Sequence, residues 1–345
     1  MHPFSLLVKP AGGGCNLDCS YCFYKKDHAA GTMSADTAAR AFGAYAALPF
    51  AGKSVALQGG EPLLAFGTGV FQILDSFPVE KSVQTNATLV TDESAEFLAR
   101  GGWLVGASLD GPRELNRLRG DSFDETVRGI RRLERANADY NLLTVVSRAN
   151  VARPRDTYLY LRDTFSTRFH QYIECTGPRD AITGEEWGEF LVGLFDEWIR
   201  RDARTVSVRL FDSIVSQMAL GFPTLCSFAA SCRQYLVVEH DGSVYPCDFH
   251  VRPELRLGNV NEDPLEDIAA SPAWARFAAA KEANLPAECR VCRFFEFCCG
   301  DCPRSSRRLC AGWRRFFAHA LPRLRELAQD ACRRAAAQAF CNAAQ

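Results

Sequence analysis

Short apolar runs alternate with amphipathic segments through the first half of the chain. Six runs rich in branched aliphatic and aromatic residues are predicted strands: Phe4–Val8, Ser54–Gln58, Ser82–Thr85, Trp103–Leu109, Asn141–Ser147 and Phe169–Glu174. Helical stretches lie between them, and two have start signals at Ser34 and Thr91. Repeated strand–helix units predict a parallel sheet with right-handed crossovers, here an α/β fold of the partial (β/α)6 TIM-like barrel kind.

The second half of the chain follows a different pattern. Two helical segments, Gly184–Arg201 and Leu210–Gly221, precede a cysteine-rich stretch with little periodicity. Within that stretch Asp241-Gly242 separates two β-prone runs, which predicts a hairpin over residues 234–247. The Ala- and Arg-rich residues from Arg314 onwards predict a helix. We therefore expect a barrel with a helical extension over residues 1–221 and a cysteine-rich unit over residues 222–345.

Charge and hydropathy exclude several classes of function. Lys and Arg number 40 against 41 Asp and Glu, and the net charge of −1 gives no electrostatic support for nucleic-acid binding. No run approaches the roughly 18 apolar residues of a membrane helix. Lys9 and Pro10 also interrupt the first apolar run before it could act as a secretory signal. We expect a cytoplasmic monomer that binds neither nucleic acid nor membranes.

The 15 cysteines are the unusual feature of the composition. Cytosolic thiols stay reduced, so metal ligation is a more natural role for them than disulfide formation. Cys15, Cys19 and Cys22 form a CxxxCxxC motif soon after the first predicted strand. Three thiolates on a four-iron cluster leave one iron open to a small molecule. A structural zinc ion is the alternative, although it requires four ligands.

A second set of cysteines lies in the C-terminal part of the chain. Its members are Cys226, Cys232, Cys247, Cys289, Cys292, Cys298, Cys302 and Cys310. Eight thiolates are what two fully ligated four-iron clusters need. Cys299 is an alternative to Cys298 as a ligand, and zinc knuckles built on the CxxC element are the alternative kind of site.

These motifs together resemble those of the radical S-adenosylmethionine superfamily with a SPASM extension. The resemblance rests on the CxxxCxxC motif with Tyr21 before its last cysteine, the Gly59-Gly60-Glu61 element, and the order of the later cysteines. It implies three four-iron clusters, the first of which binds S-adenosylmethionine and cleaves it to a 5′-deoxyadenosyl radical. The resemblance assigns one auxiliary cluster to Cys226, Cys232, Cys247 and Cys302, and the other to Cys289, Cys292, Cys298 and Cys310.

The same resemblance implies a set of contacts to S-adenosylmethionine. Gly60 and Glu61 would receive its ammonium group, and Ser108 would reach a ribose hydroxyl. Arg119, with Arg117 as the alternative, would meet its carboxylate. The backbone of Thr176 would contact the adenine, and Tyr21 completes the set of cofactor-binding residues.

Narrower features resemble the anaerobic sulfatase-maturating enzymes. These features are residues 4–24, the Gln58-Gly-Gly-Glu-Pro element and residues 241–249. The resemblance implies oxidation of a Cys or Ser in a C/S-x-P-x-R motif of an unfolded sulfatase to Cα-formylglycine. Asp248, directly after Cys247, matches the residue proposed as the base that takes the thiol or hydroxyl proton.

The implied partners are the sulfatase polypeptide and an electron donor such as flavodoxin or ferredoxin. The alternative function is that of a SPASM maturase that forms crosslinks or thioethers in a ribosomal peptide. An N-terminal leader-binding domain would favour that alternative, and we expect none.

Overall fold

Seven parallel strands follow one another in chain order and curve into an open sheet. The computed structural model describes residues 3–25, 27–177 and 179–343. The strands are β1 Ser5–Val8, β2 Ser54–Leu57, β3 Glu80–Thr85, β4 Leu104–Ser108, β5 Tyr140–Val146, β6 Phe169–Glu174 and β7 Ser207–Val208. The helices are α1 Ala35–Ala47, α2 Val70–Asp75, α3 Asp92–Arg100, α4 Phe123–Arg135, α5 Pro154–Thr164, α6 Gly184–Arg201 and α7 Arg209–Leu220. The predicted α/β fold and all six predicted strands are confirmed, and β7 is an addition.

Side-chain caps fix where several of these helices begin. The Ser34 hydroxyl accepts a hydrogen bond from the backbone N–H of Thr37 at the start of α1. Thr91 and Ser94 form a reciprocal capping box at the start of α3. Both start signals predicted from the sequence are therefore confirmed. Each cap accepts a hydrogen bond from a backbone N–H group of the first turn, which has no partner within the helix.

Aliphatic and aromatic side chains fill the space between the sheet and its helices. Leu6 and Val8 of β1, Leu57 of β2 and Leu142 of β5 have no exposed surface. On the outside of the sheet Trp103 packs against Phe71, with ring centroids 5.3 Å apart. Each large apolar side chain buried in this way stabilises the fold by about 1.5–3 kcal/mol.

The predicted hairpin is present and continues the barrel sheet. Its strands are β8 Tyr235–Val238 and β9 Ser243–Tyr245, and β9 pairs in turn with β10 Gly258–Asn259. Strand β8 pairs in parallel with β1, so that Leu236 lies opposite Leu6. This pairing places the turn of the hairpin, residues 239–242, at the carboxyl end of β1, near the start of the first cysteine motif.

Five further helices complete the C-terminal part: α8 Leu265–Ala270, α9 Pro272–Ala283, α10 Ala287–Arg290, α11 Phe295–Cys298 and α12 Ser306–Ala343. Helix α9 was not predicted, because its alanine-rich sequence has no clear apolar periodicity. Helix α12 begins well before Arg314 and packs against α6, with the Trp187 and Trp313 rings 5.8 Å apart. The boundary between residues 221 and 222 remains a prediction. None of the described helices could span a bilayer.

Candidate active site

The loop after β1 and the loop after β2 pack backbone against backbone. The Gly60 N–H donates to the Gly12 carbonyl at 2.9 Å, and the Glu61 N–H donates to the Gly14 carbonyl at 2.7 Å. A Cβ atom on Gly60 would lie 1.8 Å from the Gly14 oxygen, so only glycine fits there. The Gly59-Gly60-Glu61 element is thereby attached directly to the loop that carries the first three cysteines.

The three thiols of the CxxxCxxC motif converge at this loop. Burial is the main cause of the raised pKa of Cys19, and the neighbouring sulfurs of Cys22 and Cys15 add to the rise. Backbone donors already point at two of the sulfurs: the Leu17 N–H lies 3.4 Å from Cys15 Sγ, and the Lys25 N–H lies 3.4 Å from Cys22 Sγ. Three clustered thiols with N–H groups directed at sulfur suit a group that requires thiolates.

Glu61 lies beside this loop as a fully buried carboxyl group. Its oxygens accept hydrogen bonds from Thr85 Oγ1 at 2.7 Å, from the Asn86 N–H at 2.8 Å and from the Leu63 N–H at 3.0 Å. Burial raises the pKa of Glu61, and these three donors oppose that rise because they stabilise the carboxylate. A buried carboxylate held in this way can complement a cation that enters the site.

A second buried network connects the cysteine loop to the end of β4. The Tyr21 hydroxyl donates to Asp110 Oδ2 at 2.5 Å and accepts from Arg119 Nη1 at 2.8 Å. Asp110 Oδ1 also accepts from the Val145 N–H at 2.9 Å. Burial alone would lower the pKa of Arg119, but its electrostatic interactions with Tyr21 and with the carboxylate of Asp110 raise it overall. Arg119 is therefore a cation that is fixed in place beside the cysteine loop.

The structure separates the two candidate arginines. Arg119 is 5% exposed, and its Nε is a buried donor without a partner among the described residues. Arg117 lies on the exposed side of the same short turn, and its guanidinium is 3.5 Å from the Glu114 carbonyl. An unpartnered buried guanidinium donor is what an incoming carboxylate would satisfy, so the surroundings favour Arg119.

Two other predicted cofactor contacts lie at neighbouring strand ends. Ser108 ends β4, and its hydroxyl accepts a hydrogen bond from Gln84 Nε2 at 3.0 Å. Thr176 follows β6, and the adjacent Gly177 approaches the backbone of Tyr21 closely: a Cβ there would lie 3.0 Å from the Tyr21 oxygen. Both residues thus belong to the same rim as the cysteine loop, because parallel strands present their carboxyl ends at one edge.

The later cysteines form two groups in space. Burial raises the pKa of Cys226 and of Cys247, and neighbouring cysteines add to the rise. The neighbour of Cys226 is Cys232, and the neighbours of Cys247 are Cys226 and Cys302. In the same way Cys310 and Cys292 add to the raised pKa of Cys289, and Cys292 and Cys289 add to that of Cys298. The groups have the membership predicted from the sequence, while the ligand assignment itself remains a prediction.

Space for a bound cofactor lies beside the group of cysteines that contains Cys232, Cys247 and Cys302. A cleft of about 470 Å³ is lined by Cys232, Cys247 and Cys302 together with Phe249 and Lys281. Among the described residues, no three His, Cys, Asp or Glu side chains converge tightly enough to hold a single metal ion. A four-iron cluster spreads its thiolates over different irons, so its ligands need not approach one another so closely.

Cys298 and Cys299 are distinguished by their backbone and by what they face. Cys298 ends α11, and burial together with the charges of Asp301, Cys292 and Cys289 raises its pKa to about 12. Cys299 has a positive φ of 44°, and its sulfur lies 3.8 Å from Gln217 Nε2. Cys298 is therefore the cysteine that faces the second group.

Comparison with known proteins agrees with this arrangement. The radical SAM superfamily model matches residues 10–161, and the iron–sulfur cluster-binding SPASM model matches residues 226–293. The cysteine-type anaerobic sulfatase-maturating enzyme of Clostridium perfringens is 31% identical, over 96% of this chain and 100% of that enzyme. The chain belongs to the anaerobic sulfatase-maturating enzymes. It is a radical S-adenosylmethionine enzyme.

Other relatives of this family support the same membership. The serine-type anaerobic sulfatase-maturating enzyme of Bacteroides thetaiotaomicron is 30% identical, over 93% of this chain and 90% of that enzyme. The solved structure of anSMEcpe with bound AdoMet superposes with a TM-score of 0.89 at 30% identity, over 95% and 96% of the two chains. SuiB of Streptococcus suis, at 16% identity and a TM-score of 0.69, shares the fold.

Within this family frame, Asp248 lies where the C-terminal extension meets the barrel. It directly follows Cys247, and its Oδ1 is 3.7 Å from the Cys247 sulfur. Its Oδ2 is 3.8 Å from Nζ of Lys9, which follows β1. The Asp248 side chain is 20% exposed, whereas that of Lys9 is 2% exposed.

Sequence reasoning missed two residues near Asp248, which are Lys9 and Glu239. Lys9 is buried, its ammonium lies over the ring of Tyr24 at 4.5 Å, and the Tyr24 hydroxyl donates to Glu239. A lysine directly after a buried strand is unusual, and this position could have marked Lys9 as a candidate site residue. Glu239 offered no comparable signal, because only the pairing of β8 with β1 brings it here.

Proposed function

We propose that this enzyme oxidises a Cys or Ser within a C/S-x-P-x-R segment of a sulfatase to Cα-formylglycine. The observation that carries the proposal is the position of Asp248 between a predicted cluster ligand, Cys247, and the end of the strand that leads to the three-cysteine loop. Full-length similarity to both cysteine-type and serine-type maturases supports the same reaction.

Three four-iron clusters are proposed as the resident metal groups. Cys15, Cys19 and Cys22 would hold the first, and the two later groups of four cysteines would hold the others. About twelve irons per chain follow from three such clusters. When bound, these clusters and S-adenosylmethionine supply a 5′-deoxyadenosyl radical that removes a hydrogen atom from Cβ of the target, and a path for the second electron.

The residues around the cysteine loop suit the charges of the S-adenosylmethionine methionyl group. Glu61 offers a buried carboxylate for its ammonium, with Gly60 providing the close backbone approach. Arg119 offers a guanidinium for its carboxylate, and the Tyr21 and Asp110 hydrogen bonds fix that guanidinium in place. Ser108 and the backbone of Thr176 are the proposed contacts for ribose and adenine.

Asp248 would act as the base in the second half of the oxidation. Once Cβ has lost a hydrogen atom, the target must lose one electron and one proton to become a thioaldehyde or aldehyde. The Asp248 carboxylate, with Oδ2 3.8 Å from Lys9 Nζ, would take the proton from the thiol or hydroxyl group. Its partial exposure lets that proton pass on to solvent.

The partners and setting are proposals of the same kind. The substrate would be an unfolded sulfatase segment, since a C/S-x-P-x-R motif must enter an open barrel as an extended chain. A small electron-transfer protein such as flavodoxin or ferredoxin would reduce the first cluster. We propose that the enzyme works as a cytoplasmic monomer.

The test is incubation of the reconstituted enzyme with S-adenosylmethionine, reductant and a peptide that contains Cys-x-Pro-x-Arg or Ser-x-Pro-x-Arg. We expect 5′-deoxyadenosine and a peptide aldehyde, both measured by mass spectrometry. Deoxyadenosine with a crosslinked or thioether product would favour the alternative maturase function. Deoxyadenosine without any modified peptide would contradict formylglycine formation.

The Asp248→Asn variant tests the role of the base within that reaction. We expect aldehyde formation to fall by about 10²-fold or more while deoxyadenosine formation changes little, because proton removal follows cofactor cleavage. Asp156→Asn, which alters an exposed ion pair with Arg153 on α5, is the matched control and should behave as the wild type. Equal aldehyde yields from Asp248→Asn and the wild type would remove Asp248 as the base.

A further inference from the structure

The buried side chain of Lys9 lies where three parts of the active site meet. Lys9 is 1% exposed and follows β1 directly. Its backbone is fixed on both sides, since its N–H donates to the Val238 carbonyl at 2.9 Å and its carbonyl accepts from the Gly12 N–H at 3.0 Å. Burial of an ammonium group costs several kcal/mol unless anions or dipoles surround it, so a lysine here needs a reason.

The side chain of Lys9 contacts all three parts. Its methylene stem lies under the Gly59-Gly60-Glu61 element, where a Cβ on Gly59 would come within 2.9 Å of Lys9 Cδ. Its ammonium lies 4.5 Å from the ring centre of Tyr24, two residues beyond the first cysteine motif. Its Nζ is also 3.8 Å from Asp248 Oδ2, in the C-terminal extension.

The neighbouring carboxylate is engaged elsewhere. Glu239 accepts a hydrogen bond from the Tyr24 hydroxyl, and its other oxygen lies 3.9 Å from His240 Nδ1. Within the described part of the chain, Asp248 is the one carboxylate within 4 Å of the Lys9 ammonium. The buried cation therefore acts on Asp248 more directly than on any other acid.

The distance between the two groups is informative. At 3.8 Å the ammonium and the carboxylate attract each other, but the separation exceeds the 2.7–2.9 Å typical of a charge-assisted hydrogen bond. The carboxylate oxygens thus keep their lone pairs available for a proton from the substrate. A tight bidentate partner such as arginine would instead occupy both oxygens.

We propose that Lys9 is a positioning residue for Asp248, and that it holds the carboxylate turned towards the loop that carries the first three cysteines. The proposal rests on the proposed function, in which Asp248 is the base. Lys9 contacts neither the predicted thiolate ligands nor the reacting carbon in this account. Its effect on the reaction passes through Asp248.

Four variants of the reconstituted holoenzyme test this role: Lys9→Met, Asp248→Asn, the double variant, and Lys53→Met as a control. Met keeps the length of the side chain and removes its charge. Lys53 also lies over an aromatic ring, that of Phe50 at 5.4 Å, but in the loop before β2. The measurements are iron content, the midpoint of thermal unfolding, peptide affinity, and the number of deoxyadenosines formed per aldehyde.

We expect Lys9→Met to retain its iron and its affinity for the peptide, and to form at least tenfold more deoxyadenosine per aldehyde than the wild type. The same substitution made in Asp248→Asn should change that ratio by less than about twofold, because residues that act through one another are not additive. Lys53→Met should match the wild type in every measurement.

Several results would overturn the proposal. A wild-type ratio in Lys9→Met would do so, as would equal effects of that substitution with and without Asp248. If Lys9→Met loses iron, Lys9→Gln serves as a second, polar variant, and loss of iron in both would make the role structural. A wild type that forms no aldehyde would overturn the proposed function itself, a result distinct from failure of the Lys9 variants alone.

Discussion

The barrel and the cysteine-rich extension are held together by different means. Barrel strands bury aliphatic side chains such as Val55, Val83 and Val105 almost completely. Between residues 222 and 305 the chain consists of short strands, turns and helices, of which only α9 exceeds six residues, and Cys299 and Asp301 have positive φ. Apolar burial is therefore the main stabilising force in the barrel, and the extension has less of it.

This difference indicates where metal groups are structural. A segment with little hydrophobic core of its own can gain its folding free energy from bound metal groups, as small metal-binding domains do. The first cysteine loop, in contrast, lies on a rim that the sheet and the glycine contacts already form. We infer that the first cluster is needed for chemistry alone, whereas the auxiliary clusters also stabilise the fold.

Substitution at the first cluster should have the largest effect on activity and almost none on stability. We expect Cys15→Ala to abolish cleavage of S-adenosylmethionine, because three thiolates are the minimum for a cluster with one open iron. Its thermal unfolding midpoint should stay close to that of the wild type. Cys332→Ala, on an exposed part of α12, is the control. A large fall in the unfolding midpoint of Cys15→Ala would contradict the comparison.

Substitution at the second auxiliary group should lower both iron content and stability. We expect Cys298→Ala to lose about four irons of twelve and to expose the extension to limited proteolysis, since its ligands replace an apolar core there. Cys299→Ala is the adjacent control and should retain its iron. Iron loss from Cys299→Ala with full retention in Cys298→Ala would reverse the assignment of the ligand.

Local pattern was enough to predict most of the fold. The six long strands and the hairpin follow from alternating apolar runs and from Asp241-Gly242, which are short-range signals. Strand β7 has two residues, too few for any periodicity. The parallel pairing of β8 with β1 could not be predicted either, because it joins segments more than 200 residues apart through the free edge of β1.

The candidate site shows the same division between local and long-range information. Cysteine spacing was enough to predict the first thiol group, since Cys15, Cys19 and Cys22 come from one loop, whereas the division of the later cysteines into two groups followed from the family resemblance. The choice between Arg117 and Arg119 was open, because it depends on the burial created by Tyr21 and Asp110. Lys9 was overlooked as a site residue for a similar reason, because its partner Asp248 lies more than 200 residues further along the chain.

A smaller effect is expected from the contact between the loop after β1 and the loop after β2, where Gly60 packs against Gly14. We expect Gly60→Ala to weaken binding of S-adenosylmethionine by about 100-fold, since a methyl group 1.8 Å from the Gly14 oxygen would separate the loops at a cost of about 3 kcal/mol. Gly67→Ala, where nothing lies within 4 Å, is the matched control and should bind normally. Binding is measured by equilibrium dialysis with labelled cofactor.

The smallest expected effect concerns His170 in the barrel core. This side chain is 1% exposed, and burial, with a further contribution from the charge of Arg168, lowers its pKa to about 4. The unfolded chain, with an ordinary pKa near 6.5, binds the proton more readily than the folded barrel does. The stability due to neutral His170 is therefore present above pH 6.5 and is lost as the pH falls towards 4.

Hydrogen exchange can assign that loss to the barrel. Between pH 7 and pH 5 the opening free energy of β5 and β6 amides should fall by about 2 kcal/mol, since one pKa unit corresponds to 1.36 kcal/mol. In His170→Gln, which cannot titrate in this range, the same amides should show little dependence on pH. An equal fall in both proteins would mean that the barrel loses stability through other groups, and that its acid sensitivity arises outside the core.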